Sequence, residues 1–405
     1  VAEPRPVVCL SSQPWHDPLR TNKHNIMERL AATRPVVWAD IDYVSPLADV
    51  ARFWRPRVER AGGVTVLEFY APSATRRLAH GNPLRTFACF DLRVHALRAW
   101  LARARLPDPI VWVYHPGYGD LPARLPSQLV VYDCVDDYTT FPEFRGAEAW
   151  IGAREARLAA AADLVFFSAP TLHADKARLA PGRAHLVPNV GDIEHFARAS
   201  APETPVAAEL ERLPRPIVGF IGVVSDYKVD VVALAALARA RPTWSVVVVG
   251  PVGVADPGTS VASLAALPNV HLLGRRPFAE LPSFLKGFDV ALLPYHTGPA
   301  TRGVFPLKFF EYLVSGCPVV MTDLPALAEH AHLVEVARTP GGLALACEAA
   351  LRSGDVARAR RVAAAVGHGW SDRVAALLAH IDAGLEARQR VSRAGTSFGK
   401  RRVAR

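Results

Sequence analysis

The sequence predicts an α/β chain of two doubly wound domains, each built on a mostly parallel sheet covered by helices on both faces. Three observations predict it. Short, nearly continuous apolar runs recur along 405 residues, of which 50% are hydrophobic. Helical stretches alternate with those runs, as parallel strands buried on both faces require. The series also stops and restarts about half-way, which points to two ordinary cores rather than one large one.

The first set of strands is expected at Val7–Ser11, Val36–Ala39, Val64–Phe69, Ile110–His115, Leu129–Val135, Leu164–Ser168 and His185–Pro188. The second is expected at Ile217–Gly222, Ser245–Gly250, Val270–Gly274, Val290–Pro294, Pro318–Thr322 and Leu333–Val336. A polar, Pro-containing stretch, Arg198–Pro216, reads as the linker between a domain over 1–198 and a domain over 199–366. Trp370, Val374, Leu377, Leu378 and Ile381 recur at helical spacing and predict a closing amphipathic helix over 367–385, followed by a disordered basic tail over 386–405.

No apolar run reaches the roughly 20 residues of a membrane-spanning helix. The longest, Leu158–Ala169 and Val246–Val254, are cut by Asp163 and by Gly250–Pro251. Val1–Pro6 lacks the pattern of a secretion signal, so the chain reads as cytoplasmic. Cys9, Cys89, Cys134, Cys317 and Cys347 are scattered singly, which suits buried thiols and not a zinc site or redox pair. The net charge of +9 is mostly a property of the tail, which carries +6 and leaves only +3 to the body. A nucleic-acid partner is therefore not expected. Neither first loop, Ser11–Asn25 or Gly222–Val229, holds G-x-G-x-x-G, and no P-loop occurs, which demotes dinucleotide redox enzymes and P-loop NTPases.

Ligands of open α/β sheets sit at the carboxyl ends of strands. The most specific segment there is LLPYHTGPATRGVFPLKFFEYLVSGCPVV, from Leu292, read as strand, long loop, helix and strand. Pro306 suits a first helical turn and Gly316 a C-terminal cap, while Lys308 falls where helix N–H groups favour an anion. Lys308 and Glu311 share one helix face. A cation and a carboxylate so placed match a diphosphate beside a ribose diol; the same two residues equally describe a surface ion pair on an amphipathic helix.

This segment resembles the donor-binding motif of GT-B glycosyltransferases, in the subgroup with P-L-K-x-x-E-Y-L-x-x-G-x-P-V-V. Teichuronic-acid transferases belong there and, more distantly, so does the xanthan glucuronosyltransferase. The match runs through Pro306, Lys308, Glu311, Tyr312, Gly316 and Pro318. The resemblance implies two facing Rossmann-like domains, a nucleotide-diphosphate sugar as donor substrate with UDP expected, and no cofactor or metal. It gives Glu311 the ribose and Lys308 the diphosphate, and places Gly222, Thr301, Arg302 and Leu307 on the donor side. Larger relatives carry a further Glu eight residues before Glu311, where this chain has Gly303. That departure leaves the donor-sugar contact and the anomeric outcome open. By the same resemblance Arg275 and Arg276 are candidates for base or phosphate, or solvated surface arginines; Tyr295 is a candidate to stack on the base, or rim packing.

In the N-terminal half, VVYDCVDDYTTF ends an apolar strand with Asp133, Asp136 and Asp137. Glycosyl transfer with inversion needs a base to take the acceptor proton, and a carboxylate at a strand end can do so. The run Y-D-C-V-D-D-Y resembles the same polysaccharide transferases, and by that resemblance Asp136 is the first candidate and Asp137 the second, the alternative being caps of the following turn. His115 is the rival base or a structural histidine. The loop Ser11–Asn25 resembles the start of the same family, which assigns Trp15, Lys23, His24 and Asn25 to the acceptor side.

The sequence thus predicts a glycosyltransferase acting on a glycan or lipid-linked acceptor in surface polysaccharide biosynthesis. A nucleotide-sugar epimerase and a degenerate nucleotide-sugar-binding subunit are the rivals. The helical segment Leu92–Leu106, apolar at Leu92, Leu97, Trp100 and Leu101 and basic at Arg93, Arg98, Arg103 and Arg105, adds a further expectation with the tail: peripheral docking on the inner face of an anionic membrane.

Overall fold

The computed structural model describes residues 4–11, 13–44, 56–72, 94–106, 108–254, 256, 258–339 and 341–402. Cys89, Leu92 and Arg93 lie outside the described residues, as do the side chains of the tail beyond Arg390. The chain divides into two compact units, Val1–Val187 with Arg373–Arg405, and Pro188–Asp372.

The first unit is an eight-stranded sheet of β1 (Val7–Leu10), β2 (Val36–Val44), β3 (Arg57–Ala61), β4 (Val64–Pro72), β5 (Ile110–Val113), β6 (Leu129–Cys134), β7 (Leu164–Phe167) and β8 (Ala184–Leu186), in the order β3-β4-β2-β1-β5-β6-β7-β8. Every pairing is parallel except β3 with β4. The strands β1, β5, β6 and β7 are buried along their full length, as their unbroken apolar runs require.

The strand β3 was not expected. Its sequence RVERA is largely polar because it forms the sheet edge, with Glu and Arg facing water. Gly62 and Gly63 both take positive φ, +56° and +83°, the backbone that a two-residue hairpin turn demands.

The second unit is a six-stranded, all-parallel sheet of β9 (Ile217–Ile221), β10 (Ser245–Val249), β11 (Val270–Gly274), β12 (Val290–Leu293), β13 (Val319–Thr322) and β14 (Glu335–Ala337), in the order β11-β10-β9-β12-β13-β14. The strand order reverses between β9 and β12, and in the first unit between β1 and β5. Ligands of such sheets bind at these switch points.

Two expected boundaries shift. Arg198–Pro216 is not a linker but a packed part of the second unit: Ala207 and Leu210 are buried, and Ala207 N–H donates to Ser283 O at 3.1 Å. A Cβ on Gly287 would meet Leu210 Cδ1 at 2.6 Å, so the segment is seated directly on the helix Leu281–Gly287. The first domain accordingly ends eleven residues before the expected Arg198, at Val187. The closing helix also continues, from Trp370 to Arg402, where a disordered tail was expected. From Arg373 it belongs to the first unit, held by a buried Arg373–Asp133 ion pair at 3.4 Å and by Arg388, which bonds to Gln128 O and lies 3.4 Å from Asp163.

The cysteines Cys9, Cys134, Cys317 and Cys347 are free and buried. Burial pushes the thiols of Cys317 and Cys347 up to about 12.

Among the described residues no helix is long and apolar enough to cross a membrane. The helix over residues 94–103 turns Val94, Ala96, Leu97 and Leu101 into the core. Its apolar face is therefore spent on the first unit and is not available to a lipid surface, although Arg98 and Arg103 are exposed.

Candidate active site

In the second unit, the helix Lys308–Ser315 starts beside the end of β9 and stops at Gly316, whose φ of +75° is the left-handed cap expected there. Phe309, Phe310 and Leu313 bury its inner face. Tyr312 fixes its height against the sheet: the hydroxyl accepts from Ile221 N–H at 2.9 Å and donates to Ile221 O at 3.3 Å. Leu307 is the residue before the first turn.

Lys308 reaches across Gly222. A Cβ on Gly222 would fall 2.5 Å from Lys308 Cε and 3.2 Å from Nζ, so the absence of a side chain there is what lets the amine lie over the β9 terminus. Gly250 packs on Gly222 in turn, its Cβ position 1.9 Å from Gly222 O. The cation thus sits at the switch point, beside a helix N-terminus.

Glu311, one turn on, is buried with 9% exposure. It lies against Gly191, where an added Cβ would be 2.9 Å from Glu311 Cγ, and accepts from Asp192 N–H at 3.4 Å. Burial raises its carboxyl from 4.5 to about 7, although Lys308 and the Asp192 N–H work the other way. Between pH 4.5 and 7 the folded chain keeps a proton that the unfolded chain releases, so Glu311 stabilises the ligand-free fold at low pH, and that stability is lost as pH rises through about 7. Gly191 and Asp192 are site neighbours that the sequence reading missed; nothing in N-V-G-D announces a contact 119 residues away.

The remaining donor candidates are placed differently. Thr301 is buried and its hydroxyl donates to His296 O, with Gly298 O 3.3 Å away, holding the 296–301 loop. Arg302 is exposed and Gly303 follows it at the surface edge of that loop. Tyr295 is buried, edge-on to Phe220 with ring centroids 6.4 Å apart, which is the packing alternative rather than stacking on a base. Arg276 is occupied by Glu209 at 3.1 Å and lies over the Phe284 ring, a surface tie, while Arg275 is exposed.

In the first unit, β6 ends in the turn that carries Asp136 and Asp137. Asp136 is half-buried there. Asp137 is committed elsewhere: it caps the next turn by accepting from Thr139 N–H and Oγ1, at 3.2 and 2.7 Å, and pairs with Lys176 at 3.1 Å. Burial would raise its carboxyl, but Lys176 and Thr139 outweigh it and hold it below the usual range. Asp133 is fully buried and paired with Arg373.

His115 is buried and its Nδ1 accepts from Gly117 N–H at 3.0 Å, which leaves the proton on Nε2. Its ring packs edge-on to Tyr138 at 4.6 Å, and burial, with Lys23 nearby, lowers its pKa to about 3. A neutral imidazole with no tendency to take a second proton is a poor base.

The four acceptor-side candidates separate. Trp15 and His24 are core residues packed about Trp38, Trp15 edge-on at 5.1 Å and His24 stacked at 4.9 Å, with His24 Nε2 3.1 Å from Pro14 O and its pKa lowered to about 4 by burial. Their expected acceptor role is replaced by packing. Asn25 bonds to Thr21 O and Arg29 within its own helix. Lys23 alone of the four reaches the strand ends: its ammonium lies 5.6 Å from the Tyr114 ring centre, lowered in pKa by burial and supported by Asp136, Asp133 and Glu143.

Among the described residues, ligand atoms of His16, Glu59 and Glu68 lie within 4.8 Å of one another. Arg57 pairs with both carboxylates, at 3.6 and 3.5 Å, and offsets part of their charge.

With the geometry established, comparison with known proteins decides the family. Residues 215–353, nearly the whole second unit from β9 onward, match the family described as glycosyl transferases group 1. TuaH of Bacillus subtilis (strain 168), named for a glycosyltransferase role in teichuronic acid biosynthesis, is 31% identical over 339 residues, covering 80% of this chain and 82% of TuaH. The chain is a group 1 glycosyltransferase. Among solved structures, sucrose-phosphate synthase from Thermosynechococcus elongatus is similar with a TM-score of 0.68 at 18% identity, covering 96% of this chain and 100% of that one. An E. coli trehalose-6-phosphate protein bound with UDP-2-fluoro glucose gives 0.69 at 14%, covering 93% and 98%. These likenesses show the fold, two parallel-sheet α/β domains of the GT-B class.

Proposed function

We propose that this glycosyltransferase moves a sugar from a UDP-sugar to a hydroxyl of a glycan or lipid-linked acceptor in surface polysaccharide biosynthesis. The observation that carries the reading is the pairing of Lys308, laid over Gly222 at the end of β9, with the buried carboxylate of Glu311 one turn along the same helix. Lys308 and the helix N-terminus hold the diphosphate, and Glu311 accepts from the ribose hydroxyls. Asp136 takes the acceptor proton as the acceptor oxygen bonds to the sugar and the bond from the sugar to UDP breaks. Lys308 steadies the charge that gathers on the leaving diphosphate. The neighbour holding UDP-2-fluoro glucose supports UDP as the nucleotide, and the name of TuaH supports a wall or surface polysaccharide as the product.

Calorimetry with UDP-glucose as probe tests the donor site. Losing a hydrogen bond to a charged group costs about 1.5–3 kcal/mol, so Lys308→Ala and Glu311→Ala should each weaken binding roughly ten- to a hundredfold. Because only ionised Glu311 can accept from both hydroxyls, wild-type affinity should rise about tenfold from pH 6 to pH 8, and Glu311→Gln should flatten that dependence. Unchanged affinity in both Ala variants, with folding intact, sinks the assignment.

The basic end of the closing helix supports salt-sensitive association with an anionic membrane surface, now by charge alone, since the apolar face of the 94–103 helix is buried. Sedimentation with anionic liposomes should show binding at low salt that falls at high salt and is absent from a chain ending at Leu385. Equal non-binding by both chains would remove the membrane from the reading.

A further inference from the structure

Behind the turn that carries Asp136 lies a buried charged knot that the reaction does not use directly. Glu155, on the helix Glu148–Ala161, is buried against β6, and its Oε1 accepts from the Tyr132 hydroxyl at 2.8 Å and from the Cys134 thiol at 3.5 Å. Lys176, at the end of the helix Pro170–Lys176, donates to both oxygens of Glu155, at 2.9 and 2.7 Å, and to Asp137 Oδ1 at 3.1 Å. The Cys134 thiol also lies 3.7 Å from the carbonyl oxygen of Asp136. The turn is therefore gripped by the ammonium at the residue after Asp136, with the thiol packed against the Asp136 carbonyl.

We propose that Lys176 and Glu155 are positioning residues for glycosyl transfer, an anchored ion pair that fixes the 135–141 turn through Asp137 and so sets where the Asp136 carboxylate lies. The inference rests on Asp136 being the base. Burial opposes the Lys176 charge, but the carboxylates of Glu155 and Asp137 hold its ammonium protonated well above the ordinary lysine value, so the grip persists across the working pH range. A buried pair of this kind is a weak source of stability, because desolvation consumes most of the Coulomb gain. Its use is geometric. Misplacing a reacting group by about 1 Å can cost on the order of a hundredfold in rate.

Amide hydrogen exchange tests the anchor without any substrate. Lys176→Met should speed exchange in the 135–141 turn about tenfold or more while leaving β1, β5 and the second-unit strand β9 unchanged, and Lys176→Arg should stay near wild type. In transfer from UDP-glucose, or from whichever UDP-sugar the wild-type chain turns over, Lys176→Met should lower kcat roughly ten- to a hundredfold with KM within about twofold. Lys176→Arg should recover most of it. If Lys176→Met does not fold, Asp137→Ala breaks the same link while keeping the Glu155–Lys176 pair, and the same local loosening is expected. Unchanged exchange in 135–141 overturns the proposal, as does a speed-up spread evenly over β1, β5 and β6, which would mark the pair as a stability element only. A loosened turn with unchanged kcat also overturns it. If instead Asp136→Asn remains active while the turn loosens in Lys176→Met, the base assignment falls and the anchor stands.

Discussion

Asp136→Asn is expected to lower glycosyl transfer by about a thousandfold, the middle of the range that a general base contributes, with UDP-glucose affinity unchanged within about twofold. Asn keeps the shape of the side chain and cannot take the proton. The expectation places the base at Asp136 on its half-buried position in the turn after β6. Asp137 caps Thr139 and pairs with Lys176, so its Oδ1 is already held by three donors. His115 accepts from Gly117 N–H through the nitrogen that a base would need, and burial keeps it neutral. The measurement is single-turnover transfer by Asp136→Asn and His115→Ala side by side. Activity retained in the first and lost in the second would move the base to His115.

Arg373→Met is expected to destabilise the first unit by about 3–5 kcal/mol, the cost of leaving a buried charge without its partner. Both Arg373 and Asp133 have no exposed side-chain surface, and their pair ties the closing helix to the end of β6 across 240 residues of sequence. Burial already raises the Asp133 carboxyl, which Arg373 first and then Trp112, Lys23 and Tyr114 pull back down. Without Arg373 the restraint goes, so the folded variant holds a proton on Asp133 that the unfolded chain releases near 3.9. The loss is then smallest at low pH and grows as pH rises. Urea unfolding of wild type and variant at pH 5 and pH 8 measures it, with the Asp133→Asn, Arg373→Met double variant expected to recover much of the loss. A cost under about 1 kcal/mol at pH 8 would show that the pair is solvated.

What the sequence disclosed follows from where each feature draws its stability. Strands such as Val290–Leu293 and Ile217–Ile221 are buried on both faces, so their burial is written into every residue, and the Lys308–Glu311 helix carries its own start and stop in Pro306 and Gly316. The edge strand Arg57–Ala61 lacks that signature because one side faces water; only Gly62–Gly63 hinted at it. Trp15 and His24 read as loop residues with polar company, and what makes them core is tertiary packing around Trp38. The same limit hid Glu155, Lys176 and Arg373. On a helix each reads as a solvated charge, and only the fold brings the partners that make burial tolerable. The basic helix over 94–103 misled in the opposite direction, since its apolar residues suit a membrane and a sheet equally well.

That this chain is a working sugar transferase on a nucleotide donor is tested most directly by one measurement: incubate the full chain with UDP-, GDP- and TDP-sugars and a lipid-linked oligosaccharide extract, and follow nucleotide diphosphate release together with sugar gained by the acceptor. The predicted result is UDP released in step with sugar transferred from one UDP-sugar, and roughly ten- to a hundredfold less of both in Glu311→Ala at the same sub-saturating donor concentration. Nucleotide bound without turnover of any donor, or donor converted to its epimer with no sugar on the acceptor, would contradict it.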